Sequence, residues 1–163
     1  MSKFKIEIKW AFIFLLMSLI WMALEKAVGL HDVHIDKHPI YTNLVAIPSI
    51  VIFVFALLDK RKNHYNGNMT YVQGLISGIV ISAIIAVFSP LTQYIISTYI
   101  TPDYFANAIK YSVEKGGSTQ KKAEAFFNTE NYMMQATFGG LIMGVIISAI
   151  VSIFVKKKGY EKV

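Results

Sequence analysis

Four long stretches of the chain carry almost no charge, and the charges crowd their ends. Trp10–Val28 has none until Glu25, Ile40–Leu58 has none, Thr70–Ile100 has none over 31 residues, and Tyr132–Val155 has none over 24. Lys3, Lys5 and Lys9 precede the first stretch. Asp59, Lys60, Arg61 and Lys62 follow the second, and Lys156, Lys157 and Lys158 follow the fourth. A helix needs about 20 apolar residues to cross the hydrocarbon of a bilayer. The pattern therefore predicts four transmembrane helices, at about residues 10–28, 40–58, 70–99 and 131–155. They belong to a single membrane domain covering residues 1–163. The fold class expected is all-α integral membrane, a four-helix bundle.

Turn residues punctuate this pattern. Gly29 is expected to stop the first helix, because glycine is favoured just past a helix C-terminus. Pro39 is expected to open the second helix, where a missing N–H costs nothing. Pro48 and Pro90 lie inside the second and third spans and are expected to kink them. The third span is overlong, rising about 46 Å if helical throughout. Its outer end, Thr92–Tyr99, is expected to protrude or bend. Between the third and fourth spans, residues 101–128 read as short amphipathic outer-face helices that pack against the bundle. Thr101-Pro102-Asp103 starts the first of these and Gly116-Gly117 stops it. Ser118/Thr119 restarts a helix through Phe127, and Thr129 caps the fourth span. Tyr104, Phe105, Ile109 and Val113 fall at helical spacing, as do Ala123, Phe126 and Phe127.

Small residues recur every fourth position in two spans. The third carries Gly74, Gly78, Ser82, Ala86 and Pro90; the fourth carries Gly140, Gly144, Ser148 and Ser152, with Gly139 alongside. Such ladders let backbones approach closely in lipid, where packing rather than water expulsion drives association. Gly74, Gly78, Ser82, Gly140, Gly144 and Ser148 are the expected helix-packing residues, within one hairpin rather than across a dimer. The first span has few small residues and two tryptophans, so it is expected at the bundle edge, facing lipid.

Composition agrees. Of 163 residues, 55% are hydrophobic and 16% are charged, against about 25% charged in soluble domains. Mean hydropathy is +0.49. The absence of cysteine excludes disulfides and thiolate metal sites. The net charge of +6 points to topology and not to nucleic acid, because the basic residues sit at span ends. Three lysines before the first span, two lysines and an arginine after the second and four lysines in the tail share one side. Lys26, Lys37, Lys110, Lys115, Lys121 and Lys122 fall on the other. The positive-inside rule then places both termini in the cytoplasm and residues 29–38 outside. The first span ends in Glu25-Lys26, not in a small-residue cleavage site, and is expected to remain as an anchor.

One stretch concentrates polar chemistry. GLHDVHIDKH, residues 29–38, holds three of four histidines and two of ten acids. With Glu25 it offers His31, His34, Asp36 and His38 as candidate ligands for a divalent metal, since imidazole and carboxylate suit Zn, Cu, Ni or Mn. His34 and His38 share a face only if the segment is helical, which Gly29 and Pro39 oppose. The leading expectation is a solvated connecting loop, with Asp32 or Asp36 capping nearby N–H groups. The alternative is a metal or proton site. Glu25, one turn inside the first span, is expected to pair with Lys37 or a loop histidine. The span interiors offer Thr42, Asn43, Gln73, Thr92, Gln93 and Gln135 but no ionisable group, which argues against an ion-coupled pump. The 59–70 loop is basic and reads as a topology signal with a turn at Asn66-Gly67. No phosphate-binding glycine loop and no nucleophile elbow occurs.

The stretches LEKAVGLHDVHIDKH, YTNLVAIPSI, ALLDKRKNHYNGNMTYVQGLISG, SPLTQYI and ITPDYFANAI together resemble the DUF4199 family, from about Lys3 to Lys158. The resemblance implies a small four-span protein of the bacterial inner membrane and assigns no catalytic residue. The function expected first is that of a non-enzymatic accessory or scaffold subunit of the cell envelope. Its partners would be membrane lipid and another protein or a second copy. A lipid-, small-molecule- or ion-handling oligomer using an outward polar pocket near Glu25 and His31–His38 is the alternative. An envelope lipid or sugar enzyme using the same cluster is a third reading.

Overall fold

The computed structural model describes residues 4–157. Lys3, Lys158 and Lys162, which enter the charge asymmetry, lie outside the described residues. The described chain is helical: α1 (Lys5–Ala27), α2 (His38–Tyr41), a 3-10 turn (Thr42–Val45), α3 (Ala46–Asn63), α4 (Tyr71–Ile95), a π-helical turn (Ile96–Ile100), α5 (Tyr104–Glu114), α6 (Gln120–Phe126) and α7 (Thr129–Val155). Four stretches are long and apolar enough to cross a membrane: Lys5–Ala27, His38–Asn63, Tyr71–Ile100 and Thr129–Val155. Their outward faces expose Leu16, Ile20, Phe55, Val87, Ile142 and Phe154. A continuous apolar exterior of this kind marks a surface meant for lipid or protein.

Local chemistry sets the helix ends. Gly29 takes φ +79° and closes α1. The Gly29 N–H donates to the Lys26 carbonyl at 2.9 Å and the Leu30 N–H to the Glu25 carbonyl at 3.0 Å. This is the double bond of a Schellman stop. Thr70 and Gln73 cap α4 reciprocally, at 3.3 and 2.9 Å, so Gln73 serves the helix end and not the span interior. The cap of α7 is Asn128, whose carbonyl oxygen accepts the Asn131 N–H at 2.9 Å. Thr129 is the first helical residue, one position beyond its expected role. Pro48 sits in the first turn of α3, and the chain tightens to the 3-10 turn just before it. Proline lacks the N–H that would bond the Leu44 carbonyl, and its ring crowds that oxygen. By contrast, α4 stays helical through Pro90. The expected bend in this span appears further out, where Ile96–Ile100 widens and the Thr101 N–H reaches back to Ile96 at 2.8 Å.

The centre of the bundle is the antiparallel pair α4 and α7, the most extensive helix contact in the fold. A Cβ built on Gly78 would lie 2.1 Å from Ser148 Oγ and 2.3 Å from its Cβ. One on Gly144 would lie 2.3 Å from Ser82 Oγ, and one on Gly74 would lie 2.9 Å from Ser152 Oγ. Each glycine thus faces a serine, over three successive rungs. Gly140 departs from its expected packing role: a Cβ there meets nothing within 4 Å. Onto this pair α1 and α3 pack Ala11, Leu15, Phe53, Ala56 and Leu57, all buried with Ile81, Ile85 and Val151. So α1 presents one face to the exterior and a second to the core, rather than lying wholly at the edge.

The end of the bundle formed by the start of α1 and the end of α3 contains a buried ion pair that the charge-free runs conceal. Glu7 and Lys60 are 2% and 3% exposed. Lys60 Nζ lies 2.8 Å from Glu7 Oε1, and Ser77 Oγ donates to the same oxygen at 2.9 Å. Lys60 is therefore a structural partner and not only a topology charge. Beside it Asp59 takes Lys9 and the Trp10 indole N–H, the latter at 2.7 Å. Arg61 donates to the Val155 carbonyl at 2.7 Å.

Two stability measurements follow from this packing. Gly78→Ala is expected to cost about 1–3 kcal/mol through overpacking against Ser148, whereas Gly139→Ala, in open space, should be neutral or gain up to about 1 kcal/mol. Thermal melts in detergent compare the two directly, and equal effects would refute the rung geometry. Lys60→Met should cost about 3–5 kcal/mol by stranding the Glu7 carboxylate, and adding Glu7→Gln should recover most of it. A double variant no more stable than the single would show that the pair is not the cause.

Candidate metal centre

The Schellman stop at Gly29 throws the chain back over the end of α1. Residues 30–37 then run as consecutive turns, with the His34 N–H on the Gly29 carbonyl at 2.8 Å and the Lys37 N–H on His34 at 2.9 Å. This path buries Leu30 and His31 and leaves Asp32, Val33, His34, Asp36 and Lys37 exposed. His38 is the first residue of α2, with Pro39 in its first turn. Its ring therefore faces back across the loop toward α1.

Three side chains converge on one point. Glu25 Oε2 lies 3.1 Å from His31 Nε2 and 3.4 Å from His38 Nε2. The three potential ligand atoms all fall within 4.8 Å of one another. The Glu25 and His31 side chains are 3% and 4% exposed, and His38 is 14% exposed. The other carboxylate oxygen, Oε1, accepts the Trp21 indole N–H at 2.5 Å, from one turn earlier on the same helix face. The Thr42 side chain lies beside the carboxylate. Such partners hold a ligand group in one orientation.

Tyr104, at the start of α5, closes the cluster from above. Its ring lies 5.0 Å from His31 and 5.1 Å from His38, centroid to centroid. Its hydroxyl is 3.5 Å from His38 Nδ1 and 3.2 Å from the Tyr132 hydroxyl. Burial, foremost, together with Tyr132 and Glu25 pushes the Tyr104 hydroxyl well above the usual phenol range, so it remains a proton donor. The Asn107 amide donates to the His31 carbonyl at 3.0 Å and pins the loop. His31 Nδ1 is buried with no hydrogen-bond partner among the described residues. Next to His31 opens a polar cavity of about 260 Å³, lined by Lys26, Asp32, Thr101, Asp103 and Asn107 among others. A polar space of that size has room for water.

Of the five sequence candidates, the structure brings together Glu25, His31 and His38 and leaves His34 and Asp36 on the exposed side of the loop. The spacing of four between His34 and His38 would have needed a helix, which Gly29 and Pro39 were expected to oppose, and they do. The segment is a series of turns, and the spacing that converges is seven. The solvated-loop expectation is likewise corrected for His31, which is buried, and Lys37 does not pair with Glu25; the histidines do. The Asp32 cap does form, its carboxylate accepting the Val33 N–H. Trp21, Thr42, Tyr104, Asn107 and Tyr132 went unrecognised as parts of the centre. Only Trp21 carried a local signal, four residues before Glu25.

Tyr104 supplies a test in alkali. Its folded pKa is raised, so above about pH 10 the unfolded chain releases a proton that the folded chain keeps. Stability contributed by the buried phenol is complete below that pH and is lost as pH rises past it. Melting temperature should therefore fall between pH 9 and 11, with a shallower fall in Tyr104→Phe. Parallel profiles would exclude Tyr104 as the cause.

A family model described as a protein of unknown function (DUF4199) matches residues 9–157. No curated protein matches the chain, and no solved structure does.

Proposed function

Because the chain belongs to the DUF4199 family, whose description names no activity, we propose a function from the centre itself: a four-span membrane protein that binds a divalent transition metal, zinc foremost, at its outer end. The single observation that carries this reading is the convergence of Glu25, His31 and His38 in a buried position. Tetrahedral zinc with ligands at about 2.0–2.2 Å holds them about 3.3–3.5 Å apart. Of the two carboxylate–imidazole distances, 3.4 Å falls in that range and 3.1 Å is slightly shorter, and all three ligand atoms lie within 4.8 Å of one another. Two histidines and one carboxylate with a fourth position free form the ligand set of zinc that works on a bound molecule, rather than of zinc that only staples a fold. Trp21 and Thr42 on the carboxylate, and Tyr104 on His38 Nδ1, are the orienting partners such ligands require.

The distribution of basic residues supports seating this centre on the outer face of a bacterial cytoplasmic membrane, with both termini inside. The reading moves weight from an accessory subunit to a protein that handles a ligand. A protein partner or second copy on the outer face is the second reading, favoured by Val33 and Ile40, which are 77% and 73% exposed on and beside the loop.

The test is elemental analysis of detergent-purified protein after zinc exposure and desalting. The wild type and His34→Ala should retain about one zinc per chain, while His31→Ala, His38→Ala and Glu25→Gln lose it. Trp21→Phe should weaken binding roughly 10–100-fold. A wild type without metal, or a His34→Ala loss equal to that of His31→Ala, would remove the proposal.

A further inference from the structure

Two cavities, of about 220 and 330 Å³, adjoin inside the bundle between α1, α3, α4 and α7. They share Phe14, Thr42, Val45, Ile85 and Gly140 as walls. On α4 the lining runs from Ser82 to Ile96, a rise of about 21 Å, or some two-thirds of the roughly 30 Å hydrocarbon core. The hydroxyls along it present no open donor. Ser18, Ser49, Ser82, Ser89 and Thr92 all donate to carbonyls one turn back on their own helices. Such a wall holds water poorly, and leaving it empty forfeits packing.

The outer end of this space meets the metal centre. Trp21 and Thr42 line the cavity, and Trp21 also donates to the Glu25 carboxylate. Gly140 keeps the space open. It continues the small-residue ladder of α7, yet it faces no serine, and a Cβ there meets nothing. Any side chain at that position would project into room that the lower rungs do not have.

We propose that the ligand handled at the Glu25–His31–His38 centre is a single-tailed membrane amphiphile. Its hydrocarbon tail lies in the α1/α3/α4/α7 cavity, and its oxyanion head reaches past Trp21 and Thr42 to the metal position of the centre, because the Trp21 N–H is already given to Glu25. This deepens the metal reading and rests on it for the role of the head; the seat of the tail rests on the cavity alone. Hydrocarbon is the occupant the surroundings supply, because the cavity lies at the level of the four apolar spans. The apolar wall excludes an ion or a sugar as its tenant.

The experiment uses full-length protein in detergent with two probes carrying a diazirine in the tail, palmitic acid and lysophosphatidylglycerol. After photolysis the labelled residues are mapped by mass spectrometry. Cavity labelling by either probe, on the buried Ile85 and Ile96, is the expected result, and the probe that competes better shows whether the head is carboxylate or phosphate. Gly140→Phe should lower that labelling at least about tenfold. Gly139→Phe, the same bulk one residue around the helix and outside both cavities, should leave it unchanged. Labelling confined to the exterior, on Leu16, Ile20 and Phe154, would overturn the proposal in the wild type alone, even if Gly140→Phe failed to fold. Equal labelling in both variants would also overturn it. Zinc content of the same samples separates the two readings. Cavity labelling without zinc removes the metal and leaves the tail seat; zinc without cavity labelling does the reverse.

Discussion

The backbones of α4 and α7 approach as closely as they do because every rung between them pairs a glycine with a serine. At Gly78 the missing Cβ is occupied by the Ser148 side chain, and at Gly144 by that of Ser82. In an apolar medium helices gain nothing from expelling water, so close contact of this kind is the main attraction available to them. The two remaining long helices add their apolar faces to this hairpin. The glycine–serine rungs do not continue to Gly140, where a Cβ would meet nothing within 4 Å. The adjoining cavity is walled by Ser82 and Gly144 of the last rung as well as by Gly140.

The two ends of the bundle treat a buried acid differently. At one end Glu7 has a permanent cation, Lys60, at 2.8 Å, and the pair is electrically complete. At the other end Glu25 is as deeply buried, but its neighbours are imidazole, indole and hydroxyl groups, none of them permanently charged. A buried carboxylate without a fixed counter-charge is costly. In the proposed function a bound divalent cation would offset that cost at the position where three ligand atoms converge. The Glu7–Lys60 pair then belongs to the scaffold, and the Glu25 cluster is the proposed site.

The loop that builds the outer cluster depends on one backbone event. Gly29 adopts a left-handed conformation, which ends α1 one turn after Glu25 and sends His31 back over it. Asn107 and Tyr104, from a helix some 70 residues further on, then hold the loop down. The short outer helices are thus more than surface packing: α5 forms the roof of the centre.

The sequence by itself determined the number of the long helices, the stop at Gly29, the start at Pro39 and the register of the small-residue ladders. All of these are local: they follow from runs of apolar residues, from the conformational freedom of glycine and proline, and from a period of about 3.6. The tertiary structure alone decided which histidines meet Glu25. That choice depends on the direction of a non-helical turn series, which has no period to read, and on Tyr104 and Tyr132 arriving from distant segments. It also decided that Glu7 and Lys60 face each other across 53 positions. Gly140 carried the same ladder signal as its neighbours, and only the tertiary structure left it without a facing side chain, as a cavity wall.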